Sequence, residues 1–318
     1  MDKKIAIVLP AYNEEKNLRS VLTALTNASD LTACALLVVD DGSKDTTAEI
    51  VQRFERVTLV QHPVNWGLAA AFRTAVDWCL EHKIDVMVFF DADGQFDVTD
   101  IIRVAQPVLD NTCDFTLGSR FINGTPAQIP AMKLFGNKAL ARFISAITKQ
   151  HIHDVACGFR AYSREALLRI NLTGDFTYTQ EVILDLLFKG KRCVEVPITV
   201  HYGSEIRASA ISSNLWRYGW RVLKIMTRTI RDYQPMKFFG MIGGILFLAG
   251  LILDIWLLHY YVTAGSFTPY KAVGFTGAFL NFTGLTVWFV GLVADMLNRM
   301  RKNQETIIYL AKKERYSR

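Results

Sequence analysis

Asp91-Ala92-Asp93 places two carboxylates one residue apart. They directly follow the apolar run Val86-Met87-Val88-Phe89-Phe90 and precede Gly94. The run reads as a buried strand, and Gly94 as the turn that ends it. Two carboxylates at a strand end can hold a hard divalent cation, which is commonly shared with the phosphates of a nucleotide. Two further polar stretches follow short apolar runs in the same way. Pro10-Ala11-Tyr12-Asn13-Glu14 comes after Ile5–Leu9, and Asp40-Asp41-Gly42-Ser43 comes after Leu36–Val39. One such loop is a turn. Three on one edge of a sheet make a site, because open α/β sheets bind ligands outside the carboxyl ends of their strands. No Gly-x-Gly-x-x-Gly and no Gly-Lys-Ser/Thr loop occurs, which disfavours dinucleotide oxidoreductases and P-loop enzymes.

The elements that must position these loops alternate. Val57–Val60 and Phe115–Leu117 complete the set of short apolar strands. Glu15–Asn27, with Leu18, Val21, Leu22 and Leu25 at helical spacing, reads as a helix, as do Thr46–Arg56 and Leu68–His82. Thr99 is placed to cap a helix running to Asp110. Alternating strand and helix predicts an α/β fold with a mainly parallel sheet and helices on both faces. This domain is expected over residues 1–212, with residues 203–212 as a linker or loop. Five scattered cysteines without a Cys-x-x-Cys pair read as reduced thiols in a cytosol-facing domain.

The charge is divided. Residues 213–318 hold 14 Lys/Arg against 5 Asp/Glu, so residues 1–212 carry a net −3 of the chain's total of +6. A nucleic-acid binder should carry its basic patch on the folded domain, so that class is disfavoured. A basic C-terminal third suits an anionic membrane. Phe238–Leu253 carries no charge, and Ala272–Ala294 is 23 uncharged residues. Each belongs to an apolar stretch reaching the roughly 20 residues that cross a bilayer core. Residues 238–297 are thus expected to form a two-helix membrane anchor. Arginines before the first span and Arg299, Arg301 and Lys302 after the second put both termini on the cytoplasmic side. Arg217, Arg221, Lys224, Arg228 and Arg231 recur at helical steps, which predicts an amphipathic surface helix over residues 213–237. Residues 298–318 read as a basic cytoplasmic tail. Asp254 and His259 fall at the far interface of the first span. Gly240, Gly243 and Gly244 offer a face on which two copies can pack as a homo-oligomer.

Together these motifs resemble the inverting family-2 glycosyltransferases of GT-A type. Within them they resemble the polyprenyl-phosphate hexosyltransferases, the group of dolichyl-phosphate mannose synthase. The resemblance covers about residues 4–202. It implies a nucleotide-sugar donor, a polyprenyl or dolichyl phosphate acceptor, and a Mg²⁺ or Mn²⁺ ion. Pro10, Tyr12 and Glu14 match the loop that holds base and ribose, as do Val39 and Asp41. Asn65-Trp66-Gly67-Leu68 resembles the family's Asn-x-Gly turn. Asp91, Ala92, Asp93 and Gln95 match the metal and diphosphate loop, with Asp91 and Asp93 as metal ligands. Arg120 of Gly118-Ser119-Arg120 matches a basic residue that reaches the phosphates. Asp154, Arg160 of Gly158-Phe159-Arg160, and Glu181 resemble the acceptor or phosphate segment, and Glu195-Val196-Pro197 the strand that follows. The family often carries Arg-x-x-Gly-x-Ser-Lys after that strand. Here residues 203–209 have no lysine, and Arg207 is the candidate for the cationic role.

The chemistry implied is metal-assisted departure of a nucleoside diphosphate, with Arg120 adding fixed positive charge. A lipid phosphate is already anionic and needs alignment, not a strong base. The Gln-x-x-Arg-Trp signature of processive synthases is absent, which favours single transfer. The alternatives are a membrane glycosyltransferase acting on another lipid acceptor and a non-catalytic nucleotide-sugar-binding scaffold.

Overall fold

The computed structural model describes residues 3–122, 124, 131–171, 178–201 and 215–317. Arg207 therefore lies outside the described residues. The chain divides into two compact units, Met1–Gly219 with Tyr309–Arg318, and Trp220–Ile308.

The first unit is built on seven strands: β1 (Ile5–Ala11), β2 (Ala35–Asp40), β3 (Val57–Gln61), β4 (Val86–Phe89), β5 (Phe115–Ser119), β6 (Arg160–Ser163) and β7 (Cys193–Pro197). They lie in the order β3-β2-β1-β4-β6-β5-β7. β3, β2, β1 and β4 are mutually parallel, as are β5 and β7. β6 runs antiparallel between β4 and β5. The sequence pattern did not show β6, because Arg160-Ala161-Tyr162-Ser163 is too short and too polar to read as a buried strand.

The sheet is covered on both faces because β1 and β4 at its centre are apolar at every position. α1 (Leu18–Asn27), α2 (Thr47–Gln52) and α4 (Asp100–Leu109) pack on the face of Ile7, Leu9, Leu36, Val38, Val86 and Val88. α3 (Leu68–Glu81) covers the other face, where Phe72 meets Phe89 and Tyr162 edge-on at 5.2 and 5.6 Å. Each such fully buried apolar side chain stabilises the fold by roughly 1.5–3 kcal/mol. α1 begins three residues later than its periodicity predicts, since residues 14–17 form a turn onto the Glu14 carbonyl. Thr99 precedes α4, but its hydroxyl donates to Asp97 Oδ1 and does not cap the helix. α5 (Ala131–Thr148), α6 (Arg164–Arg169) and α7 (Tyr178–Phe188) complete the layers.

α8 (Leu215–Tyr233) is followed by α9 (Pro235–Ala264) and α10 (Lys271–Arg315). Pro235 opens α9 where its missing N–H costs nothing, and Gly265 ends it at φ +70°. Both α9 and α10 are long and apolar enough to cross a membrane. α10 runs without a break through the stretch expected as a separate tail. Its last residues belong to the first unit. There Tyr309 Oη donates to Glu165 at 3.1 Å, Lys312 Nζ to the Ile170 carbonyl at 2.9 Å, and Arg164 to the Tyr316 carbonyl at 2.9 Å.

Within the second unit the two helices meet along glycines spaced by seven: Gly243 and Gly250 on α9, and Gly277, Gly284 and Gly291 on α10. A methyl group on Gly243 would lie 2.6 Å from the Gly284 carbonyl, and one on Gly250 2.6 Å from that of Gly277. Apolar lipid supplies no hydrophobic drive, so close backbone approach holds the pair. Of the glycines considered for self-association, Gly243 is taken up inside this hairpin and Gly240 faces Trp288 at 3.8 Å, while Gly244 has open space. Asp254 accepts from Asn281 Nδ2 at 2.6 Å between the same helices.

Gly284→Leu is expected to force this seam apart, at a cost of about 1–3 kcal/mol. Thermal unfolding in detergent checks it: the variant melts lower than wild type, and Gly244→Leu melts unchanged.

Candidate active site

β1 has β2 on one side and β4 on the other, so the winding of the sheet reverses between β1 and β4. In open α/β sheets such a switch point marks the ligand-binding crevice, outside the carboxyl ends of the strands. The loops Pro10–Glu14 and Asp91–Gln95 rise on its two sides, held in register by Phe90 N–H donating to the Val8 carbonyl at 2.9 Å. Asp93 Oδ1 accepts from Gln95 N–H at 3.0 Å across the turn, which needs Gly94 at φ +74°.

Asp91 accepts no hydrogen bond among the described residues. Desolvation, then the like charge of Asp93, push its carboxyl from an ordinary value of 3.8 up to about 7. Arg160 and Arg120 oppose the rise, and Glu14 adds to it. Burial raises Asp93 as well. Gly158 stands directly behind Asp91: a methyl group there would lie 2.5 Å from Asp91 Oδ2. No group of three His, Cys, Asp or Glu able to hold a metal occurs among the described residues. Two hard oxygen donors under mutual repulsion fit Mg²⁺ or Mn²⁺, with further ligands left to water and a substrate's phosphates.

The first two loops are stitched into one surface. Asn13, at φ +54°, donates its N–H to Ser43 Oγ at 2.9 Å and accepts Lys44 N–H at its Oδ1 at 2.9 Å. Glu14 N–H donates to Thr47 Oγ1 at 2.9 Å, and Thr46 Oγ1 donates to Glu15 at 3.0 Å. Asp40 accepts Ser43 N–H and Gln61 Nε2. Asp41, almost fully buried, accepts Trp66 N–H at 3.0 Å and Gly67 N–H at 2.7 Å, and bonds His62 Nδ1 at 2.7 Å. It thereby fixes the turn that starts α3. Tyr12 and Trp66 are exposed rings, 42% and 57% accessible.

A second network sets the basic side. Arg120 grips Asp154 through two parallel bonds, Nε to Oδ2 at 2.6 Å and Nη2 to Oδ1 at 2.9 Å. Such a fork fixes the guanidinium plane as well as its charge. Asp154 is fully buried and is held in turn by Glu195, whose Oε1 accepts the N–H groups of His153 and Asp154 at 2.9 Å each. Arg160, also fully buried, donates to the carbonyls of Cys157, Thr179 and Val155. It ties the Gly158 loop to the start of α7, where Glu181 lies in the first turn.

The structure thus brings Glu14, Asp91, Asp93, Arg120 and Arg160 into one electrostatic cluster. Pro10 and Tyr12 lie on its β1 side, and Gln95 is exposed at the end of the Asp91–Gln95 loop. The side chains of Val39 and Ala92 are buried in the core, so only their main chain can face a ligand. Gln95 carries another link: its carbonyl accepts His201 N–H at 2.8 Å, beside a Phe96–Val200 bridge. Sequence reasoning did not single out Asn13 within its loop, and missed Thr47, His62 and the bonds of Glu195. Their signal is pairing across 21 to 42 positions, which spacing does not show.

A fold with this switch point and paired aspartates defines a nucleotide-sugar-binding enzyme of GT-A type. The model of Glycosyl transferase family 2 matches residues 6–170, and the chain belongs to that family. It is a glycosyltransferase. It is 32% identical over 183 residues to UDP-N-acetylglucosamine–dolichyl-phosphate N-acetylglucosaminyltransferase of Methanococcus voltae, covering 52% of this chain and 72% of the relative. It is 31% identical to polyprenol monophosphomannose synthase of Mycolicibacterium smegmatis, over 62% and 77% of the two chains. Glycosyltransferase AglJ of Haloferax volcanii is 25% identical over 94% of this chain and 95% of its own. Among solved structures, glucosyl-3-phosphoglycerate synthase of Mycobacterium tuberculosis, in complex with Mn²⁺, UDP and phosphoglyceric acid, superposes with a TM-score of 0.53. It covers 73% of this chain and 78% of that one at 17% identity, a likeness of fold alone.

Asp91 carries a folded value near 7 against 3.8 unfolded, so its ionisation opposes folding. The penalty is absent below about pH 4, grows from there to pH 7, and is complete above. Asp91→Asn is therefore expected to stabilise metal-free protein at pH 8 by about 2–4 kcal/mol, seen as a higher melting temperature, and to leave stability unchanged at pH 4. Calorimetry at the two pH values checks this. Gly158→Ala should displace the Asp91 carboxylate and lower turnover at least tenfold with little loss of stability, read by kinetics beside a melting curve.

Proposed function

We propose that this glycosyltransferase moves a single hexose-type sugar from a nucleotide sugar to polyprenyl or dolichyl phosphate, with inversion, at the cytoplasmic membrane face. The observation that carries the reading is the pairing of Asp91 and Asp93 with the Asp154-clamped Arg120 around one crevice, in a chain with two membrane-length helices. The names of the relatives, which include dolichyl-phosphate and polyprenol transferases, support the acceptor.

Asp91 and Asp93 would hold the ion, which when bound neutralises charge on the leaving diphosphate. Tyr12 and Trp66 offer exposed ring faces to the base, and the stitched Asn13–Thr47 surface gives that side of the crevice a fixed shape. Asp154 holds Arg120 in one plane, so its positive charge is present before negative charge develops and needs no reorganisation. Arg160 holds the Gly158 loop, against which the Asp91 carboxylate packs, and so keeps that carboxylate in place. The acceptor phosphate arrives ionised and attacks the anomeric carbon directly, displacing the nucleoside diphosphate and inverting the configuration. Arg207 is the candidate cation for the acceptor side. It follows His201, whose N–H donates to the Gln95 carbonyl, by six residues in sequence.

The test uses detergent-purified protein, Mn²⁺, undecaprenyl or dolichyl phosphate, and a panel of UDP- and GDP-sugars that includes N-acetylglucosamine, glucose and mannose. One donor should yield a sugar-phosphate lipid by mass spectrometry. Asp93→Ala, still folded, should lower its formation by about 10³-fold or more, and chelation of the metal should abolish it. Release of nucleoside diphosphate without such a lipid would defeat the acceptor assignment.

A further inference from the structure

The second unit contains a cavity of about 320 Å³ lined by Arg231, Asp232, Phe239, Leu297, Asn298 and Arg301, among others. It lies where α8 ends and α9 begins, beside the stretch of α10 at which the apolar run gives way to charge. That is the end of the hairpin away from the Gly265–Tyr270 turn.

Two polar atoms in its wall are buried and lack a hydrogen-bond partner among the described residues: Arg301 Nε, a donor, and Asn298 Oδ1, an acceptor. The guanidinium of Arg301 lies 4.9 Å over the Tyr233 ring, and its Nε is ion-paired with Glu305, one turn on, at 3.6 Å, a separation too long for a hydrogen bond. The amide of Asn298 spends its nitrogen on the Tyr233 carbonyl at 3.4 Å, which turns the oxygen away from that bond. Asp232, the acid in the wall, is neutralised by Arg231 at 2.8 Å and Arg228 at 3.5 Å. Arg228, Arg231 and Arg301 against Asp232 and Glu305 leave the surroundings net positive, with one donor and one acceptor in the wall that make no hydrogen bond. Phe239 and the exposed Leu297 continue it as an apolar surface.

We propose that this cavity binds the headgroup of an anionic phospholipid. The phosphate accepts from Arg301 Nε, a headgroup hydroxyl donates to Asn298 Oδ1, and the first acyl carbons lie on Phe239 and Leu297. Buried polar groups are ordinarily satisfied, and a charge-assisted bond to phosphate is the strong way to satisfy a guanidinium. Basic pockets between membrane helices bind lipid headgroups for this reason. Phosphatidylglycerol supplies anion, hydroxyl and chains together. Phosphatidylcholine supplies neither the net charge nor the donor. The site is separate from sugar transfer and does not rest on the reaction proposed above.

The test loads the full-length protein in detergent with equal amounts of phosphatidylglycerol and phosphatidylcholine, then counts retained lipids by native mass spectrometry. Wild type should retain one phosphatidylglycerol per chain. Arg301→Gln should weaken retention about tenfold, the loss of one charged hydrogen bond. Arg301→Lys, which keeps the charge but not Nε, should weaken it too, and Asn298→Leu should narrow the preference over phosphatidylcholine. Arg299→Gln, exposed and paired with Asp295, should behave as wild type. Elution profile and melting curve establish that each variant is folded. Equal retention of both lipids by wild type, or undiminished retention in folded Arg301→Gln, would overturn the proposal. Stoichiometric displacement by undecaprenyl phosphate would do the same, and would give the cavity to the acceptor instead.

Discussion

Asp91 and Asp93 repel one another in a crevice that also strips water from them, and the surrounding fold is what keeps them there. Left to itself, such a pair would spread apart or take up a proton. The strand β4 prevents the first, because its four apolar residues are locked between β1 and β6. Gly158 permits the close packing of Asp91, since any side chain there would occupy the space of its carboxylate. Arg120 and Arg160 lower the cost without closing the site. Each is anchored by other partners, Asp154 for one and three carbonyls for the other, so neither is free to collapse onto the aspartates. Stability is given up at the place where a cation and a diphosphate would restore it.

The same logic orders the outer parts. Glu195 on β7 holds Asp154 by its N–H, Asp154 holds Arg120 by a fork, and Arg120 contributes its charge to Asp91. Three segments distant in sequence thus act on one point through short charged bonds in a dry environment, where such bonds are stiff. On the β1 side hydroxyls and main-chain N–H groups stitch the loops, and the carboxylates of Glu15, Asp40 and Asp41 are spent on holding them. That side carries shape; the β5–β7 side carries charge. In the second unit, glycines rather than charges set the geometry, because lipid offers backbone contact no competitor.

The glycosyltransferase class was legible in the sequence because its signals are local. A strand followed by Asp-x-Asp-Gly needs only the next few residues to be recognised, and the apolar spans and basic flanks need only counting. Asp91 and Asp93 were singled out in this way, and Arg120 and Asp41 by the resemblance to the family. The surroundings of Asp41 were not legible: spacing alone did not tell that its carboxylate is occupied by the Trp66–Gly67 turn and His62. Val39 and Ala92 matched motif positions, yet their side chains belong to the core.

What the sequence by itself determined was the alternation of strand and helix, the acidic loops at the strand ends and the two membrane-length helices. Each follows from periodicity, turn chemistry or hydropathy within a short window. What only the tertiary structure decided was the insertion of β6 antiparallel to its neighbours, the burial of Arg160 and Asp154, the use of Gly243 inside the hairpin, and the return of Tyr309–Tyr316 to α6 and its neighbours. Those depend on which residues meet across dozens of positions. A polar side chain reads as solvent-facing until its distant partner is known, because only that partner makes its burial affordable.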